Sequence, residues 1–156
     1  MATRDFGIQV DIQAPPDRVW AIMRDVERWH EWTPSITSVR PLKEPFAVGA
    51  RALVRQPKLP PAFWQVSGLD DRARSFTWIS RGPGVRVIGR HWVEPRGEGS
   101  RAHLAIEYRG PLGGLLARLT RGVNDRYLAM EAEGLKWRSE EPQRLDAAGR
   151  AAYALP

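Results

Sequence analysis

The apolar residues of this chain change their period once. Outside one short early interruption, residues from Phe6 to Tyr108 alternate apolar and polar, whereas from Leu112 to Trp137 the apolar positions recur every third or fourth residue. Period two is what a strand imposes, because successive side chains point to opposite faces; a period near 3.6 is what a helix imposes. A chain ordered in this way makes a run of strands first and one long helix last. The apolar face of such a sheet needs a cover, and only the last helix is long enough to provide it.

The first strand is Phe6, Ile8, Val10 and Ile12 set against Gly7, Gln9, Asp11 and Gln13. Ala14-Pro15-Pro16-Asp17 ends it, and proline suits the start of a helix, where its missing N–H would be unpaired anyway. Val19, Ile22, Met23 and Val26 then predict a short helix over about residues 16–25. Glu27 to Pro34 predicts a second helical turn, whose Trp29 and Trp32 lie three residues apart and so share a side. Strands follow at 36–42, 49–56, 63–69, 75–81 and 85–94, and a last one carries Ala102, Leu104, Ile106 and Tyr108. Short strands joined by Pro/Gly turns predict sequential antiparallel pairing. The Gly-rich segment Gly110 to Gly114 lacks a lysine and reads as the sharp turn from strand to helix rather than a phosphate cradle.

The helical stripe is Leu112, Leu116, Leu119, Val123, Tyr127, Met130, Gly134 and Trp137. Past Arg138 it stops, so residues 1–139 read as a single domain and 140–156 as a tail, either a frayed end or a short extra helix. The expected fold class is α+β: a curved antiparallel sheet of about seven strands around a long C-terminal helix, with two short helices after the first strand. A curved sheet on one helix leaves a gap between them, which is a natural ligand cavity.

With 156 residues, 42% of them hydrophobic and 27% charged, the chain has the size and composition of one globular domain. No stretch approaches the roughly 20 apolar residues of a membrane-spanning helix. The polar start lacks the apolar core of a secretory signal, and cytoplasmic localisation is the expectation. The absence of cysteine excludes disulfides and thiolate metal sites. A net charge of +6 is carried mostly by arginines scattered along the chain. Scattered charge predicts a basic solvated surface and no specific nucleic-acid partner.

Several segments resemble the START and birch-pollen-allergen-like superfamily. Ala14-Pro15-Pro16-Asp17-Arg18-Val19-Trp20 and Glu27 to Pro34 are similar to its strand-to-helix transition. Further segments resemble its polyketide cyclase/dehydrase (SRPBCC) branch: Gly49-Ala50-Arg51, Trp64-Gln65-Val66, Phe76-Thr77-Trp78, the Gly84-Val85 turn, Gly89-Arg90-His91-Trp92 and Glu133-Gly134-Leu135-Lys136. Each motif is weak alone; their order from residue 6 to about 139 is what makes the resemblance specific for fold. It implies a helix-grip fold. Its functions range over lipid and hormone binding, aromatic polyketide cyclisation and co-chaperone activity, so fold alone does not choose among them.

Alternation and the helical stripe together nominate the inward side chains. From the sheet they are Trp64, Val66, Phe76, Trp78, Val85, Val87, His91, Leu104, Ile106 and Tyr108; from the helix, Leu119, Val123, Tyr127 and Met130. Trp29 and Trp32 stand near the mouth. A lining so rich in aromatic and aliphatic groups, with few polar tips, suits an apolar ligand, either lipid-like or aromatic. The alternative is a cyclase or dehydratase in which His91, alone on an apolar strand face, acts as acid or base on an enolisable carbonyl. Tyr108 and Tyr127 would then donate hydrogen bonds to the developing enolate. Glu131 and Arg126 sit one position off the stripe, so a one-residue phase change would bring either to the cavity. His30 and His103 read as exposed, and Glu94 and Glu107 as outward, with arginines as cross-strand partners. No metal-ligand spacing occurs, and neither metal nor cofactor is expected. The expected oligomeric state is a monomer or a homodimer, with Ile88 and Trp92 as an exposed outward row suited to a dimer contact.

Overall fold

The computed structural model describes the backbone of residues 4–153 and the side chains of residues 5–141. Strand β1 (Arg4–Ile12) is followed by α1 (Pro16–Arg24) and a 3-10 helix (Val26–Glu31). Then come β2 (Ser38–Pro41), β3 (Arg51–Arg55), β4 (Ala62–Asp70), β5 (Ser75–Gly82), β6 (Val85–Arg96) and β7 (Gly99–Arg109). Helices α2 (Gly113–Leu119) and α3 (Arg121–Tyr153) close the order. The seven strands form one antiparallel sheet in the order β1-β7-β6-β5-β4-β3-β2. Every neighbour is a sequential hairpin except β1, which returns to pair with β7 along its whole length, Arg4 opposite Tyr108 through Ile12 opposite Ser100. This is the helix-grip fold.

The hydrophobic alternation sets the register. Phe76 lies opposite His91, and His91 opposite Leu104, so one inward row runs across β5, β6 and β7. In β4 a bulge at Ser67–Gly68 shifts the pairing by one residue. It keeps Leu69 inward, opposite Phe76, although strict alternation from Trp64 and Val66 would turn it out. The outward row departs from expectation. Ile88 is buried rather than exposed, opposite Ile79 and Glu107, while Trp92 is half-buried and stacks on His103 at 4.5 Å. On this face Arg90 of β6 bridges to Glu107 of β7, which also pairs with Arg109 along its own strand. The expected exposure of this row is therefore corrected, Ile88 being buried and Trp92 half-buried.

One expected helix is two. At Thr120 the backbone leaves the helical region, the Thr120 hydroxyl bonds back to the Leu116 carbonyl at 2.7 Å, and α3 begins afresh at Arg121. Upstream, Gly110 takes a φ of +100°, the left-handed conformation in which glycine turns the chain out of β7. The inward side of α3 is Asn124, Leu128, Glu131, Ala132, Leu135 and Ser139, all buried. That stripe lies about one residue away from the expected one. The helix also continues through Tyr153, past the point where the stripe predicts an end; residues 154–156 of the expected tail lie outside the described residues. No helix among the described residues is long and apolar enough to cross a membrane.

Candidate functional site

Two neighbouring spaces lie between the sheet and the helices. The larger is a chamber of about 440 Å³ between α1 with the 3-10 helix on one side and the β2–β3 connection with β3, β4 and β5 on the other. Ala52, Trp64, Val66 and Trp78 form its wall, and the exposed Lys43 and Arg51 stand at its mouth. Arg24 also borders it, but its charge is occupied. Its Nε lies 2.7 Å from Asp71 Oδ1, and its guanidinium sits 5.8 Å above the Phe46 ring.

The smaller space is a cavity of about 40 Å³ bordered by Trp29, Trp64, Trp78, His91, Ile106 and Glu131. Trp64 and Trp78 border both spaces, their ring centroids 5.4 Å apart, so the indole pair is the partition between them. The His91 imidazole is 6% exposed and stacks on Phe76 at 4.4 Å. Trp29 and Trp78 meet it edge-on at 5.2 and 6.0 Å. Its Nδ1 has no hydrogen-bond partner among the described residues. Burial among aromatic rings pushes its pKa down to about 3, because an imidazolium would be desolvated there with no counter-charge. The ring is neutral at pH 7.

Glu131, from α3, faces the same cavity and is 7% exposed. Its Oε1 accepts a hydrogen bond from Ser35 Oγ at 3.1 Å. The Ser35 hydroxyl is itself 2.9 Å from that of Thr33, and Ser35 N donates to Thr33 Oγ1 at 3.3 Å. Burial pushes the Glu131 pKa up to about 7, against the opposing pull of the Ser35 hydrogen bond. Near neutrality this carboxyl is poised to hold or release a proton; His91 is not.

Of the side chains nominated by sequence, Trp29, Trp64, Val66, Trp78, His91 and Ile106 border one or both spaces. Phe76 and Leu104 are buried in the core cluster behind them. Val85, Val87 and Val123 are half-buried and border neither space. The Tyr108 hydroxyl accepts a hydrogen bond from Asn124 Nδ2 at 2.9 Å and donates to Thr120 Oγ1 at 3.1 Å, and the Tyr127 hydroxyl donates to the Pro57 carbonyl. Both phenols tie the helices to the sheet and its loops, and neither borders the spaces, which corrects their placement as enolate donors. Trp32 and Met130 border an outer groove with Trp137, and Leu119 is 71% exposed. The inward placement of Met130 and Leu119 is corrected too: the break at Thr120 resets the helical phase, and a one-residue error turns a side chain through about 100°. The same rotation brings Glu131 in, while Arg126 stays exposed. His30 is exposed, whereas the ring of His103 is mostly covered and pairs with Glu94 at 3.1 Å. Among the described residues no group of three His, Cys, Asp or Glu could hold a metal ion.

A family profile described as polyketide cyclase/dehydrase and lipid transport matches residues 3–140. Among solved structures, the Zhui aromatase/cyclase from Streptomyces sp. R1128 superposes with a TM-score of 0.74 at 18% identity, covering 95% of this chain and 99% of that one. The protein TTHA0849 from Thermus thermophilus gives 0.73 at 20% identity, covering 89% and 99%. A norcoclaurine synthase point mutant from Thalictrum flavum gives 0.71 at 14% identity, covering 91% and 97%. At such identities the likeness is one of fold. No curated protein sequence matches significantly.

Proposed function

The chain belongs to the polyketide cyclase/dehydrase and lipid transport family, and on that premise we propose that it binds an apolar small molecule, lipid-like or aromatic, in the chamber between sheet and helices. The observation that carries this reading is the chamber itself. Its volume of about 440 Å³ falls within the roughly 300–1,000 Å³ of small-molecule sites. Its sheet side, formed by Ala52, Trp64, Val66 and Trp78, is apolar, and the two indoles offer flat faces to a ring or chain. Titration with a fluorescent fatty acid and with 2-methylnaphthalene tests it, read by calorimetry and by the quenching of tryptophan fluorescence. Saturable binding of at least one is expected; no heat and no quenching from either would sink the reading.

A second reading, turnover of a polyketide-like substrate, is favoured by one observation: an imidazole and a carboxyl group, those of His91 and Glu131, border the same cavity. Burial weakens His91 as a base and makes its protonated form costly, so the carrier reading stands first. If His91 is the acid or base, His91→Ala abolishes turnover while apolar binding persists. Unchanged turnover in that variant removes His91 from the chemistry.

A further inference from the structure

Three leucines stand out of the surface on one face of α2. Leu112, at the start of the helix, Leu115 and Leu119 are 45%, 56% and 71% exposed, and their spacing of three and four residues sets them side by side. The helix is seated by its opposite side, where Gly113 and Ala117 are buried. None of the three leucines borders the chamber, the inner cavity or the outer groove, so a ligand held in those spaces leaves them uncovered. Apolar side chains grouped on the outside in this way mark a face that meets something.

Arginines surround the group. A Cβ built on Gly84 would lie 2.9 Å from the Leu112 side chain, so this leucine covers the turn that joins β5 to β6. At the foot of that turn Arg81 lies opposite Arg86, and Arg86 opposite Arg109, one row of like charge across three strands. Like charges directly opposite one another destabilise a sheet. Arg109 shares Glu107 with Arg90, whereas Arg81 and Arg86 have no ion pair among the described residues. On the helical side Arg118 and Arg121 flank Leu119, equally without an ion pair among the described residues. All five arginines are exposed. From residue 110 to 126 Asp125 is the one acidic residue.

We propose that this face of α2, with the arginine row beside it, docks on the surface of an anionic lipid bilayer. Shape and charge together choose the occupant. The leucines form a ridge on a helix, and a bilayer interface admits a ridge to its acyl boundary without a preformed pocket. Arginine stems lie along that depth and carry their guanidinium groups to the lipid phosphates, which supply the negative charge that the row lacks. A nucleic acid would meet the arginines and leave the leucines in water; a neutral bilayer would take the leucines and give the arginines nothing. The surface lies apart from the chamber, and the inference goes beyond the binding reading above without depending on it.

The test is sedimentation with vesicles of phosphatidylcholine alone or mixed with phosphatidylserine, at about 0.1 M salt, where charges more than about 10 Å from the lipid are screened. The native protein should bind the mixed vesicles about tenfold more tightly or better. Arg81→Gln/Arg86→Gln should weaken that binding about tenfold or more, since each basic residue at such a surface is worth roughly fivefold. Leu115→Ser/Leu119→Ser should weaken it by about as much. Arg40→Gln/Arg72→Gln, which removes the same charge from exposed positions elsewhere on the sheet, should change it about threefold or less. Because the chain has no cysteine, Leu115→Cys and Ala73→Cys can each carry a single environment-sensitive dye. Mixed vesicles should blue-shift the dye at residue 115 and leave it unshifted at residue 73, in the exposed turn at the far end of β5. Equal losses from the two arginine pairs would mean that the net charge of +6 holds the vesicle rather than this face, and would overturn the proposal. Native affinity in Leu115→Ser/Leu119→Ser, equal dye shifts at the two positions, or no binding to mixed vesicles, whether or not an oligonucleotide binds, would overturn it too. The two labelled chains each change one exposed side chain, so the dye comparison stands even if a paired variant does not fold.

Discussion

At the scale of single residues, His91 and Glu131 are displaced from their ordinary pKa values in opposite directions by the same cause. Each loses water, and each therefore favours its neutral form. Between about pH 4.5 and 6.5 the unfolded chain carries one proton on His91 and none on Glu131, while the folded chain carries one on Glu131 and none on His91. The proton counts match, so these two groups together add almost no pH dependence to stability in that window. Single variants separate them. In His91→Phe the remaining Glu131 binds more protons folded than unfolded, so stability should fall as pH rises from 4.5 to 7. In Glu131→Gln the remaining His91 binds more protons unfolded, so stability should rise as pH rises from 3 to 6.5. Each slope approaches about 1.4 kcal/mol per pH unit at its steepest. Urea-unfolding midpoints of the two variants across pH 4.5–6.5 measure this, and parallel profiles would refute it.

At the scale of elements, the decisive contact is the seat of α3 beside the 3-10 helix. A Cβ built on Gly134 would lie 1.9 Å from the Trp32 carbonyl oxygen, so the helix approaches that backbone more closely than any other residue permits. Gly122, in the first turn of the same helix, has nothing within 4 Å of its would-be Cβ. The same substitution therefore has opposite signs at the two sites. Gly134→Ala should cost about 1–3 kcal/mol or more through overpacking, and Gly122→Ala should gain about 0.5 kcal/mol through helix propensity. Chemical denaturation of the pair decides it; two stabilising results would mean that the helix is not seated as described. This contact also holds the inward stripe in phase, since a helix rotated by one residue would bring a side chain against Trp32.

At the scale of the whole molecule, α1, the 3-10 helix and the β2–β3 connection frame the chamber against the sheet. A ligand that fills it binds the folded form alone and stabilises it by mass action. At a free concentration of about 100 times Kd this is worth about 2.7 kcal/mol, or roughly 5–10 °C in Tm for a chain of this length. A thermal melt with 2-methylnaphthalene should show that shift, and Trp64→Ala, which removes one indole from the wall, should reduce it. An unchanged melting temperature at saturation would mean that the ligand is held outside the fold.

The order of strands and helices, the hairpin pairing and the inward faces of the strands up to the β4 bulge were legible in the sequence, because periodicity is a local property and a one-residue slip in a strand reverses every side chain at once. Phe76, Trp78, His91 and Leu104 face inward as alternation requires. Helical phase is read less securely. The expected stripe runs through Leu112, Leu116 and Leu119 into α3, but the break at Thr120 makes these a different helix, and nothing local marks Leu128, Ala132 and Leu135 as the truer stripe. Glu131 enters the site by that rotation. The chamber's outer boundary was equally hidden, since Phe46 and Lys43 belong to an irregular loop without a period. Volume, burial and the displaced proton affinities of His91 and Glu131 belong to the tertiary structure alone, because each depends on which distant surfaces exclude water from the same point.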